Sequence, residues 1–195
     1  MKIGIVQLNY TIADVSVNVE KTLEAIKKLD ADGAELIVCT EMLTTGYPPK
    51  DLLHRDDLIE RNLAAKTAIV GFTGTIKAAV AFGYVAKNPV AGGKHLFNAA
   101  CIAQGGKIVK EREKVLLPTY DVFAEDRYFE PGKINPMRGQ FEPVEINGVK
   151  VGLLICEEIW NKKIDLYPVD PVAETVKSGA EYIVVVNASP YRIGV

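Results

Sequence analysis

A chain of 195 residues is long enough to bury one sizeable core, and 48% hydrophobic with 25% charged residues is the composition of a folded domain, not a disordered segment. A formal net charge of −2, with no basic tract, excludes a surface built for nucleic acid or anionic lipid, and no apolar run reaches the roughly 18 residues of a membrane span. Cys39, Cys101 and Cys156 are odd in number, far apart and free of any C-x-x-C pair, so the expectation is no disulfide framework, no structural zinc and a reducing, cytoplasmic setting.

In chain order, residues 2–8 predict a short buried strand, and no signal-like apolar segment stands at the N-terminus. Ser16 is a cap-type residue ahead of a helix over 17–29, where Val19, Leu23 and Ile26 recur at i, i+4 and i+7 before Gly33 breaks the pattern. E-L-I-V-C-T (35–40) predicts a strand ending at Glu41, followed by the loop T-T-G-Y-P-P-K. A helix is predicted over 56–70, then paired strands over 78–86 and 96–104 joined by N-P-V-A-G-G-K. Gly105-Gly106 turns the chain into a charge-rich strand over 107–115. Residues 141–146 and 149–156 flank Asn147-Gly148, the strongest short hairpin signal present. A helix near 171–178 and a strand over 182–188 follow; the apolar Y-I-V-V-V suits a strand covered on both faces. The pattern is mixed α/β with antiparallel pairs in its middle, in one domain spanning 1–195 without repeats or linker, and a layered sandwich is the natural outcome.

Three residues fall where predicted strands end: Glu41 after L-I-V-C-T, Lys114 at the end of K-E-R-E-K, and Cys156 after V-G-L-L-I. A thiol, a carboxylate and an ammonium on one rim suit acyl transfer. The acid takes and returns a proton while the lysine faces the oxyanion and favours thiolate. Histidine, the commoner base for a cysteine, is represented only by His54 and His95, neither of which follows an apolar strand. The bland alternatives are a small buried cysteine, a solvated loop acid and a lysine facing water; Glu157 and Glu158 would then be a dipole-favoured helix start. Cys39 and Cys101, inside apolar strands, are read as core residues.

T-E-M-L-T-T-G-Y-P-P-K-D-L-L, K-V-L-L-P-T-Y-D-V-F-A-E-D-R-Y-F-E-P-G and C-E-E-I-W together resemble the nitrilase, or carbon–nitrogen hydrolase, superfamily, in that family's order and across almost the whole chain. Within it, G-Y-P-P-x-D-L-L and L-P-x-Y-x-V-F-x-E-x-R-Y-F are most similar to the glutaminase domains of glutamine-dependent NAD synthetases. The resemblance implies an αββα sandwich and a triad of Glu41, Lys114 and Cys156, with Glu125 orienting the lysine. It also implies a glutamine pocket lined by Tyr47, Tyr120, Glu157 and Ser189. No metal or cofactor is implied for the amide step. ATP and magnesium would serve only a synthetase domain, whose S-G-G-x-D-S loop is absent here. The implied partners are glutamine, that ammonia-using synthetase domain and further copies of the chain. A stand-alone amidase and a catalytically silent scaffold are the alternatives.

Two departures stand out. Ala124 replaces an acid usual before Glu125, and the glutamine-contacting arginine that the family places after the serine is not in register, Arg192 being nearby. The expectation is therefore a domain truncated at its C-terminus.

Overall fold

The fold follows from which face of each strand is apolar, small or polar. The computed structural model describes residues 1–133, 139–160 and 167–189. Strands β1 (Ile3–Ile5), β2 (Leu36–Val38), β3 (Ala79–Lys87), β4 (Leu96–Gln104) and β5 (Lys107–Glu113) form one sheet in that order. Parallel pairing joins β1 through β3, and antiparallel pairing joins β3 through β5. A second sheet holds β6 (Val144–Ile146), β7 (Val149–Ile155) and β8 (Tyr182–Val186), with β6–β7 antiparallel and β7–β8 parallel.

Side chains alternate along a strand, so each sheet has two distinct faces. Ile37, Val80, Phe82, Tyr84 and Cys101 face Ile26 of helix α1 (Val15–Ala31) and Ile69 of α2 (Asp56–Phe72). On the opposite face Leu36, Ala79, Ala81, Ala100 and Ile102 meet Val151, Leu153, Ile155, Val184 and Val186 of the second sheet. The alanines let the sheets approach closely. Helix α3 (Pro171–Lys177) covers the far side of β7, where a Cβ on Gly152 would lie 2.3 Å from Thr175 Cγ2. The layers are α, β, β, α. Among the described residues no helix is long and apolar enough to cross a membrane.

Two expectations are corrected. Asp14, not Ser16, caps α1: its carboxylate accepts from the Val17 N–H, and the helix begins at Val15. Both residues are cap types, and the Ala13 backbone at φ 62° turns the chain in early enough for the first to serve. Strand β8 is not fully covered on both faces: Val184 and Val186 on one face are buried, whereas Ile183 and Val185 on the other are only half-buried. An apolar run cannot by itself distinguish a strand buried on both faces from one buried on a single face. The Asn147-Gly148 turn forms as expected, with both residues at positive φ, 49° and 80°.

The inter-sheet face changes character along its length. Past the apolar layer, β3, β4 and β5 contribute Gly83, Asn98 and Arg112 to the same face, in register with Ala100, Val85 and Ala100 respectively. Gly83 is where the chain leaving β2 crosses β3. A Cβ there would sit 2.7 Å from Glu41 Cα and from the Met42 nitrogen, both backbone atoms that cannot swing away. The crossing is stitched by Gly83 N–H to Thr40 O (3.0 Å) and Leu43 N–H to Gly83 O (3.1 Å). Replacing Gly83 by alanine must therefore displace Glu41 itself. Thermal unfolding of Gly83→Ala should show a loss of roughly 1–3 kcal/mol, the range for overpacking a tight site. An unchanged melting temperature would contradict the close crossing.

Candidate active site

Strands β2 and β5 run in the same direction, because β2 is parallel to β3 and two antiparallel steps separate β3 from β5. Their C-terminal ends therefore share a rim, and the crossing at Gly83 carries Glu41 inward over β3. Lys114, one residue past β5, is anchored by its N–H to Asn98 O of β4 at 2.8 Å. Its ammonium is fully buried and lies 2.9 Å from Glu41 Oε1, with Glu125 Oε1 and Oε2 at 2.8 and 2.9 Å. Glu125 starts a single 3₁₀ turn, Glu125–Arg127, in the loop after β5.

Cys156 follows β7 directly and opens a 3₁₀ turn, Cys156–Ile159. Its φ is 41°, a left-handed backbone uncommon outside glycine, which makes the strand stop abruptly at the thiol. The thiol is 3% exposed, and its Sγ lies 3.9 Å from Ser189 Oγ. Charges of Glu41, Lys114 and Glu125 all act on it. His54 sits against the Tyr128 ring at 5.8 Å.

Electrostatics decide the resting protonation states. Burial opposes the Lys114 ammonium, yet Glu41 and Glu125 outweigh burial and hold its pKa above the ordinary lysine range. Burial raises the Glu125 carboxyl, with Lys114 pulling the other way. Burial also pushes the Cys156 thiol well above its usual range, and Glu41 adds to the push while Lys114 only partly opposes it. Lys114 does favour thiolate as expected, but it is outweighed. Two carboxylates and a low-dielectric wall outweigh one ammonium, and the sulfur rests as a neutral thiol.

Asn98 was not anticipated from the sequence. Its buried amide nitrogen donates to Glu41 Oε1 at 2.7 Å and to Glu125 Oε2 at 3.1 Å, joining the two acids. The signal was a lone polar residue within the otherwise buried L-F-N-A-A-C-I-A. Glu41 Oε2, by contrast, is buried with no hydrogen-bond partner among the described residues.

The residues expected to line a substrate pocket divide into two groups. Tyr47 donates its hydroxyl to Glu125 Oε1 at 2.9 Å, so it belongs to the lysine cluster. Tyr120 donates to the Glu157 carboxylate at 2.8 Å, and Tyr167, also unanticipated, donates to Glu157 Oε1 at 3.1 Å. Ser189 donates to Asn187 Oδ1 at 3.0 Å beside the thiol. A cavity of about 840 Å³ reaches Glu41, Tyr47, Phe123 and Ser189 and continues between β1 and β8. Arg192 lies outside the described residues.

This arrangement can be set against known proteins. The family description Carbon-nitrogen hydrolase matches residues 2–189. The glutamine-dependent NAD(+) synthetase of Thermotoga maritima is 33% identical over 195 residues, covering 100% of this chain and 31% of its own length. That of Synechocystis is 35% identical over 199 residues, covering 98% and 34%. The chain thus spans about a third of the curated relatives it matches. Among solved structures, the glutamine-dependent NAD+ synthetase of Acinetobacter baumannii superposes with a TM-score of 0.81 at 28% identity, over 98% of this chain and 33% of that one. An amidase from Nesterenkonia sp. shares the fold, with a TM-score of 0.78 at 21% identity over 96% and 64% of the two chains. With its sequence matched from end to end and its sheets superposing on theirs, the chain belongs to the carbon–nitrogen hydrolase family.

Proposed function

We propose that this chain hydrolyses the side-chain amide of glutamine through a glutamyl thioester on Cys156. The ammonia then passes to an ammonia-using NAD synthetase domain. The observation that carries the reading is the asymmetry of Glu41. One oxygen is held by Lys114 and Asn98, the other is buried without a hydrogen-bond partner among the described residues, and the charge of Glu41 acts on Cys156. That is the arrangement a proton acceptor requires.

Sulfur attacks the amide carbonyl as Glu41 Oε2 takes the thiol proton, so no free thiolate accumulates. The carbonyl oxygen becomes an oxyanion facing the Lys114 ammonium and the backbone N–H of Glu157. Glu41 returns the proton to nitrogen, the C–N bond breaks, and ammonia leaves a thioester on Cys156. Water then attacks that thioester with Glu41 again accepting its proton; glutamate departs and the thiol is restored. Glu125, with Asn98 and Tyr47, holds the lysine. The Glu157 carboxylate, flanked by Tyr120 and Tyr167, offers an anionic partner for the α-ammonium of glutamine, and Ser189 sits at the thiol. The names of the relatives support glutamine as the substrate. On this reading the amide step needs no cofactor, ATP and magnesium serve the synthetase domain, and the enzyme is a cytoplasmic homo-oligomer.

Ammonia release from glutamine, asparagine and acetamide, with mass detection of the acyl-enzyme, tests the proposal. Glutamine should be preferred and should leave a thioester on Cys156, which Cys156→Ala abolishes. Preference for another small amide would favour a stand-alone amidase, and no turnover on any amide would favour a scaffold.

Glu41→Gln and Lys114→Met should each lower turnover by about 10²–10⁴-fold, the range for a lost proton acceptor or oxyanion partner. Glu157→Gln should raise the KM for glutamine while leaving that for acetamide unchanged.

Because the thiol pKa is raised, the ultraviolet thiolate absorbance of wild type and Cys156→Ala should coincide at neutral pH and separate only in alkali. Excess thiolate absorbance near neutrality would refute the neutral-thiol assignment. Burial raises all three thiols, so it does not separate them; iodoacetamide should label Cys156 ahead of Cys101 and Cys39 because Glu41, the proposed proton acceptor, acts on Cys156 alone of the three.

A further inference from the structure

Glu158 is fully buried two residues beyond the nucleophile, in the same 3₁₀ turn, and every hydrogen bond its carboxylate makes lies next to the chemistry. Oε1 accepts from the Val115 N–H at 2.8 Å and from Arg112 Nη2 at 2.7 Å. Oε2 accepts from the Ile155 N–H at 2.8 Å. Val115 directly follows Lys114, and Ile155 directly precedes Cys156. Arg112 completes the bracket by donating Nη1 to Leu153 O of β7 at 2.8 Å, with its guanidinium over the Phe141 ring at 5.1 Å.

Lys114 leaves one sheet and Cys156 the other. Between sheets there is no backbone ladder to fix one strand end against the other, and apolar contact has no direction. The Arg112–Glu158 pair supplies three directed hydrogen bonds across that gap, and a fourth, from the Ile155 N–H, ties Glu158 to its own strand end. A buried ion pair is weak evidence of stabilisation, because well-packed apolar residues often serve as well or better. Its directed bonds suit a demand for geometry, and the left-handed backbone at Cys156 is a place that needs holding.

We propose that Glu158, held by Arg112, is a positioning residue for amide cleavage, fixing the lysine-bearing strand end against the cysteine-bearing turn. The proposal rests on the amide-hydrolase reading above. The carboxylate touches neither substrate nor sulfur and acts through the backbone on either side.

The test uses Glu158→Gln and Arg112→Lys in the intact chain. Glutamine-derived ammonia, melting temperature and the rate of Cys156 alkylation by iodoacetamide are measured side by side. The glutamine amide turns an N–H toward a backbone N–H, and the lysine keeps the charge but cannot bridge to Leu153. Turnover should fall by about 10²-fold in Glu158→Gln, the scale of a 1 Å misplacement, with KM within about threefold. Arg112→Lys should show a smaller fall of the same kind. Alkylation of Cys156 should slow in both. Lower melting temperatures with turnover and alkylation unchanged would show the pair to be structural only and overturn the proposal, as would a raised KM at constant turnover. Should Glu158→Gln fail to fold, Arg112→Lys carries the same comparison. A wild-type chain that cleaves no amide defeats the function reading instead, and the alkylation rates of the variants then decide the positioning role.

Discussion

A fully buried ammonium governs this architecture. Removing the Lys114 charge from water carries a penalty of several kcal/mol after relaxation, and only close opposite charge offsets it. Two carboxylates supply that charge but leave the cluster with an excess anion, and the excess needs donors of its own. Asn98 and Tyr47 provide them. Four segments distant in sequence must therefore arrive together, since losing any one leaves a buried charge or an unpaired polar atom.

The sandwich meets that demand by dividing its interior lengthwise. Alanines and branched aliphatics between the sheets give cohesion at one end, and the same strand faces turn polar towards the rim. Gly83 marks the boundary, its missing side chain admitting the β2–β3 crossing that carries Glu41 over Asn98. Reactivity and cohesion thus share the same strands. The other two thiols pack into the core that meets α1 and α2 on the opposite side of the first sheet, Cys39 also bordering the cavity.

Much of this was legible in the chain because local signals and tertiary outcome agree. The apolar runs ending at Glu41 and Cys156, the charge-rich strand ending at Lys114, the β3–β4 pair and the Asn147-Gly148 turn all came from pattern and turn chemistry, and the three linked motifs supplied the fold. What was hidden depended on partners. Asn98 is one polar residue in an apolar strand, and nothing local says that two acids await it. Arg112 sits among charges that face water, so its inward face showed only in the register with Ala100. Glu158 looked like half of a helix-start pair because its hydrogen bonds reach across a sheet boundary. The balance at Cys156 was hidden for a related reason: the pull of Lys114 towards thiolate is readable from a motif, but the depth of burial that outweighs it is not.

The left-handed backbone of Cys156 has an evolutionary corollary. Glycine adopts that conformation freely, whereas a residue with a Cβ carries roughly 1–2 kcal/mol of strain there. Backbone preference and nucleophile identity pull in opposite directions at this one position. In a lineage that stopped needing the chemistry, drift to glycine here would meet less backbone resistance than drift at most buried sites. A glycine in this place would then be the mark of a member retained for its shape rather than its reactivity.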